Sequence, residues 1–158
     1  MLAKYQQNLV IFIDDIDNPH GYGRIVRNEV GQIVRVVEEK DANASERAIR
    51  EINTGFYLLP NQHLAAWLEQ LSNDNSQGEY YLTDVVELAQ RQNVAIDYVL
   101  APHHYEVLGV NNKLQLEQLE RFYQIIQANK LLEAGVTLFD KRRIDIRGSL
   151  SAGSDCSI

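Results

Sequence analysis

The chain has 158 residues, of which 15 are Lys or Arg and 22 are Asp or Glu, giving a formal charge of −7. That length suits one domain with a real core, and a composition 45% hydrophobic and 23% charged excludes wholesale disorder. The acidic balance argues against a nucleic-acid backbone as partner, and no apolar run approaches the ~20 residues of a membrane helix. Met1-Leu2-Ala3-Lys4 leads into polar residues rather than a signal-peptide core, and the single cysteine, Cys156, excludes an internal disulfide. A cytoplasmic protein is the expectation.

Leu9-Val10-Ile11-Phe12-Ile13 is a continuous apolar run of the length and branching of a strand buried on both faces. Gly21-Tyr22-Gly23 reads as a loop, Arg24 to Arg27 and Ile33 to Lys40 as strands around a turn at Asn28-Glu29-Val30-Gly31, and Glu46 to Arg50 as a short helix. Ile52 to Leu59 is the next strand, stopped by Pro60. Leu64, Trp67, Leu68 and Leu71 recur at helical spacing, and a polar loop runs from Ser72 to Gly78. Thr83 is placed to cap a helix from Asp84 to Gln92, followed by a strand from Val94 to Leu100. A long helix runs from Lys113 to Ala134, with Leu116, Leu119, Phe122, Tyr123 and Ile126 as its apolar face and Gly135 as its stop. Alternating strands and helices give an α/β class. In the tail, Ile144, Leu150 and Cys156 stand six apart, as do Ile146, Ala152 and Ile158. That is the period of a hexapeptide β-helix, although a plain terminal strand also accounts for two repeats.

Several polar residues sit where packing alone does not require them. Glu38 shares a strand face with Val34 and Val36, where it can accept hydrogen bonds from a polyol or stand at an exposed strand end. Asn53 and Gly55 interrupt a strand, which marks either close approach of a ligand or a bulge. Asn112 and Gln115 form a capping box, leaving the Asn111 carbonyl as a turn group or as a ligand for a hard cation such as Mg²⁺. His103-His104 lacks zinc-site spacing and reads as a surface pair. No phosphate-binding P-loop, nucleophile elbow or helix-opening G-x-G-x-x-G is present.

Taken in order, Asn18-Pro19-His20-Gly21-Tyr22-Gly23-Arg24-Ile25-Val26, Val37-Glu38-Glu39-Lys40-Asp41-Ala42, Glu51-Ile52-Asn53-Thr54-Gly55, Gln77-Gly78-Glu79-Tyr80-Tyr81-Leu82-Thr83-Asp84 and Glu106-Val107-Leu108-Gly109-Val110-Asn111-Asn112 form a specific set. The set resembles the bacterial bifunctional N-acetylglucosamine-1-phosphate uridylyltransferase / glucosamine-1-phosphate acetyltransferase family. The resemblance implies the second half of a Rossmann-like nucleotide-diphospho-sugar transferase domain with a mixed sheet over residues 1–140, then the start of a left-handed hexapeptide β-helix over residues 141–158. It implies a cytoplasmic Mg²⁺-dependent nucleotidyltransferase joining UTP and N-acetylglucosamine 1-phosphate into UDP-N-acetylglucosamine for cell-wall and lipopolysaccharide synthesis, with acyltransferase activity and a homotrimer in the full-length family. Gly23, Glu38, Asn53 and Asn111 match positions binding UDP-N-acetylglucosamine, Asn111 also matches a Mg²⁺ ligand, and Tyr81 and Thr83 match a motif lining the sugar pocket. The phosphate-binding loop and metal-binding Asp of that family belong to an upstream half with no counterpart here. The expectation is therefore a segment inactive by itself, with an apolar strand edge or face left open; a non-catalytic sugar- or protein-binding module is the alternative.

Overall fold

The computed structural model describes residues 7–110 and 112–158. The chain divides into two compact units, Met1–Val107 and Leu108–Ile158.

The first unit is built on strands β1 (Leu9–Asp15), β2 (Arg24–Arg27), β3 (Ile33–Val37), β4 (Glu51–Leu58) and β5 (Ile96–Leu100), in the sheet order β3-β2-β4-β1-β5. β1 pairs antiparallel with β4 and parallel with β5, so the sheet is mixed and the class is α/β, as expected. Leu9, Val10, Ile11 and Ile13 are all buried, which is why β1 reads as an unbroken apolar run. One face of β1 joins Ile25, Ile33 and Val36 of the β2–β3 hairpin and Trp67, Val85, Val86 and Ala89 from the helices in a single core. Trp67 completes its only polar need by donating from Nε1 to Gln92 Oε1 at 2.9 Å. On β5, Tyr98 and Leu100 are 52% and 57% exposed, so an apolar sheet edge stays open.

Several boundaries differ from the expectations, each for a local reason. β3 ends at Val37, because the Glu38 carbonyl accepts from both Asp41 N and Ala42 N and closes a turn. The short helix α1 covers Ala44–Arg47 rather than starting at Glu46, since Asn43 and Glu46 form a reciprocal capping box. α2 (Asn61–Leu68) ends before Leu71, which still packs against the core from the following segment. Thr83 caps nothing: it lies in a single 3-10 turn over Leu82–Asp84, and α3 (Val85–Arg91) follows without a side-chain cap. In β4 the register slips between Ile11 and Ile13 of β1, and Gly55 sits in the bulge at φ +84°. Nothing lies within 4 Å of where its Cβ would stand, so conformation and not crowding selects glycine there.

In the second unit, α4 (Lys113–Glu133) starts at Asn112, whose side chain accepts from Gln115 N, and stops at Gly135 in the left-handed conformation at φ +89°. Its buried residues are Gln124, Ala128 and Leu131, not the expected Leu116–Ile126 stripe; Leu116, Phe122 and Tyr123 are each more than half exposed. On that buried face Gln124 donates from Nε2 to the Ile146 carbonyl at 3.1 Å and accepts from Ile146 N at 2.7 Å. The tail then closes on itself: Thr137 bridges Ser157 in parallel, with Thr137 N to Cys156 O at 2.8 Å and Ile158 N to Thr137 O at 2.9 Å. Residues 137–158 thus make one coil whose end lies parallel to its beginning.

Candidate functional site

The turn after β3, the loop before β2 and the first half of β4 meet at one place. Gly23 precedes β2, and its carbonyl accepts from Asn53 N at 2.9 Å. A Cβ on Gly23 would lie 3.0 Å from Val36 Cγ1 and 3.3 Å from each carboxyl oxygen of Glu38. A side chain at 23 would be crowded first by Val36 and then by the Glu38 carboxyl, whereas two residues earlier Gly21 is favoured by its φ of +86°. Gly23, Glu38 and Asn53 are brought together.

Thr83 joins the group from the opposite element, its Oγ1 donating to Glu38 Oε1 at 3.2 Å. Burial pushes the Glu38 carboxyl up from its ordinary pKa, the Thr83 hydrogen bond opposes that, and the nearby Asp41 and Asp84 charges add to it. Thr83→Val is expected to move the Glu38 titration to still higher pH, because it removes the donor that favours the carboxylate. A carboxyl-carbon NMR titration measures this, and an unmoved or lowered midpoint would contradict the geometry.

Asn53 Oδ1 accepts from Gly55 N at 3.0 Å and from the Tyr57 hydroxyl at 2.8 Å, while its Nδ2 donates to no described residue. Burial raises the Tyr57 pKa well above the ordinary tyrosine value, and the negative charge of Glu38 raises it further. Tyr81 stands apart from this group. Its hydroxyl donates to Asp41 Oδ2 at 3.2 Å and accepts from Gln77 Nε2 at 2.8 Å. Tyr81 lines a cleft of about 370 Å³ that also takes in Glu38, Asp41, Asp84 and Arg35 but neither Gly23 nor Asn53. Glu38 is therefore shared between the cleft and the Gly23–Asn53 corner. Asn111 lies outside the described residues.

Two residues escape the sequence reading. Arg24, adjacent to Gly23, is only 2% exposed along its side chain and donates to Glu39 Oε2 at 2.5 Å and to the Tyr22 carbonyl. His20 Nδ1 meets the same carboxylate at 3.2 Å. A charged residue inside the apolar strand Arg24-Ile25-Val26 was the available signal for a buried ion pair. For Tyr57 the signal was a phenol hydroxyl four residues beyond Asn53, between the apolar Phe56 and Leu58. The two neighbouring histidines have separate partners: His104 Nδ1 pairs with Asp14 Oδ2 at 2.7 Å, while His103 stacks on Tyr105. Among the described residues no group of three or more His, Cys, Asp or Glu is placed to hold a metal, and no helix is long and apolar enough to cross a membrane.

No family model matches the chain. It is 54% identical over 152 residues to the bifunctional protein GlmU of Cupriavidus necator, a match covering 96% of this chain and 34% of the relative. With GlmU of Dechloromonas aromatica it shares 51% identity over 158 residues, all of this chain and 35% of the relative. The chain spans about a third of the length of the curated relatives it matches. Among solved structures, a Bacillus anthracis protein named for glucose-1-phosphate thymidylyltransferase, crystallised with a sucrose, aligns with a TM-score of 0.50 at 15% identity. That alignment covers 93% of this chain and 48% of that one. The structural likeness shows a shared α/β fold.

Proposed function

From a chain that matches one third of the bifunctional GlmU proteins along nearly all of its own length, we propose that it is the sugar-binding segment of an N-acetylglucosamine-1-phosphate uridylyltransferase. The observation that carries this reading is the meeting of Gly23, Glu38 and Asn53, separated in sequence but joined by a 2.9 Å hydrogen bond and by the carboxyl seated on Gly23. Strand pairing sets the three side by side, Gly23 standing one position beyond the Arg24–Val37 and Arg24–Ile52 pairs; what packing does not require is a half-buried carboxyl and a side-chain amide at that corner. In this reading Glu38 accepts from a sugar hydroxyl, Asn53 donates from Nδ2, and Thr83 orients Glu38. Residues 1–140 belong to the uridylyltransferase domain and residues 141–158 begin its β-helix, through which the full-length protein forms a cytoplasmic homotrimer. UTP, N-acetylglucosamine 1-phosphate and UDP-N-acetylglucosamine are its ligands.

The described residues do not by themselves fit a magnesium ion, since no three of their His, Cys, Asp or Glu side chains are placed to hold a metal. Asn111 would supply one carbonyl ligand, and a single carbonyl does not hold Mg²⁺, which is bound through carboxylates and substrate phosphates. The work assigned to this chain is accordingly binding and orientation of the sugar.

Titration of UDP-N-acetylglucosamine into the chain, followed by NMR, tests the reading. Glu38→Gln is expected to weaken binding about tenfold or more, the value of a charge-assisted hydrogen bond. The raised Glu38 pKa gives the pH dependence its sign: binding is lost on acidification at a higher pH than an ordinary carboxylate would show. Because a raised carboxyl pKa makes the charged form costly in the fold, Glu38→Gln should also leave the chain slightly more stable at neutral pH. Unchanged affinity in Glu38→Gln would refute the assignment, as would release of pyrophosphate from UTP and N-acetylglucosamine 1-phosphate by this chain alone.

A further inference from the structure

We propose that Tyr57 is a positioning residue, its hydroxyl 2.8 Å from Asn53 Oδ1 holding the Asn53 carboxamide so that the Nδ2 donor and not the oxygen faces the ligand. The proposal rests on the reading that Asn53 contacts the sugar.

The argument starts from the bulge. In a regular strand, residues four apart are roughly 13 Å apart along the chain, at ~3.3 Å per residue. The register slip of β4 and the positive φ of Gly55 fold that stretch, and the side chains of Asn53 and Tyr57 meet. The orientation of the amide follows from chemistry. The Gly55 backbone N–H can only donate, and it points at the Asn53 side chain at 3.0 Å, so the atom facing it must be the oxygen. Flipping the carboxamide would set donor against donor. With Oδ1 so placed, the Tyr57 hydroxyl is the donor in its own contact, and the oxygen is filled by two hydrogen bonds. Nδ2 is then what Asn53 has left to offer. Burial of the ring, and after it the negative charge of Glu38, favours the protonated, donating form of the phenol.

The consequence is a defined polarity. Glu38 is an acceptor and Asn53 a donor, so the corner selects a ligand whose ring substituents donate to one and accept from the other. A sugar hydroxyl meets that demand, as does an acetamido group, which carries both an N–H and a carbonyl. A ring stripped of these substituents does not.

The test uses the ¹⁵N-labelled chain and Tyr57→Phe, which keeps the ring and removes only the hydroxyl. Without ligand, the Asn53 side-chain amide pair is expected to shift and to exchange with water several-fold faster, while the backbone spectrum elsewhere keeps its dispersion. A purely packing role for Tyr57 would leave that pair where it is, and unchanged Asn53 signals overturn the proposal whether or not ligand binds. With UDP-N-acetylglucosamine as probe, Tyr57→Phe should raise the Kd about three- to tenfold, in line with one lost hydrogen bond. Wild-type chain that does not bind the probe counts against the sugar reading, while the amide signals still decide the role of Tyr57. Asn53→Asp keeps an acceptor for Gly55 and Tyr57 but removes the donor. It should fold and lose binding, and wild-type affinity in that variant would overturn the donor assignment even if Tyr57→Phe failed to fold.

Discussion

Gly23→Ala is expected to destabilise the chain by about 1–3 kcal/mol, as overpacking of a filled site does, and to weaken UDP-N-acetylglucosamine binding more than tenfold. The backbone tolerates alanine there, because Gly23 is not among the glycines with positive φ. The cost comes from the new methyl group. It would stand 3.0 Å from Cγ1 of Val36, a buried β-branched side chain with little rotamer freedom, and 3.3 Å from both Glu38 oxygens. Valine cannot give way, so the carboxyl must, and Glu38 leaves the position from which it accepts. Gly31→Ala is the control. It is strained by a φ of +83° but has nothing within 4 Å, so it should lower stability and leave binding unchanged. Thermal melts and ligand titrations of the two variants separate the effects. Wild-type affinity in Gly23→Ala would contradict the seating of Glu38 on Gly23.

Arg24→Met should cost about 2–4 kcal/mol at neutral pH, somewhat below the range for breaking a fully buried pair, because Glu39 can rehydrate. Arg24 is 2% exposed and Glu39 23% along their side chains. Methionine fills much of the space but removes the hydrogen bonds that Arg24 gives to the Tyr22 carbonyl and to Glu39. The pH dependence has a definite sign. Burial pushes the Glu39 carboxyl up, but the hydrogen bond and charge of Arg24, helped by His20 and the Gly21 backbone N–H, outweigh it and hold the pKa low. A carboxyl depressed in the fold contributes stability above its unfolded pKa and loses it as pH falls through its folded value. The gap between wild type and Arg24→Met should therefore narrow in strong acid. Adding Glu39→Gln to Arg24→Met should recover part of the loss, since an unpaired charge is then no longer held in the fold. Urea melts at neutral and acidic pH test both statements, and a gap that stayed constant would show that the pair does not act through charge.

Much of the architecture was legible locally. The unbroken run at Leu9–Ile13 announced a strand buried on both faces, because such a strand has no place for alternation. Asn112 and Gly135 marked the ends of α4 because free amides at a helix start and a left-handed residue at its end are needs of the backbone itself. The ordered motifs around Gly23, Glu38 and Asn53 pointed to one ligand site. What those residues do to each other was not legible there. Thr83 reads as a cap from its neighbours, yet its hydroxyl goes to Glu38, 45 positions away. The apolar positions of α4 read as its buried stripe, yet the buried face carries Gln124, paired with the backbone of Ile146.

The division follows the range of the forces. Periodicity, caps and turn residues act across a few positions, so the sequence by itself determined the class, the buried strand β1 and the limits of the long helix. Sheet order, the β4 bulge and the Arg24–Glu39 pair depend on which distant segments become neighbours, and only the tertiary structure decided them. Burial is the physical reason. A hydroxyl, amide or guanidinium removed from water must take the partner that packing supplies, and that partner is chosen by the strands that meet rather than by the residues adjacent in the chain.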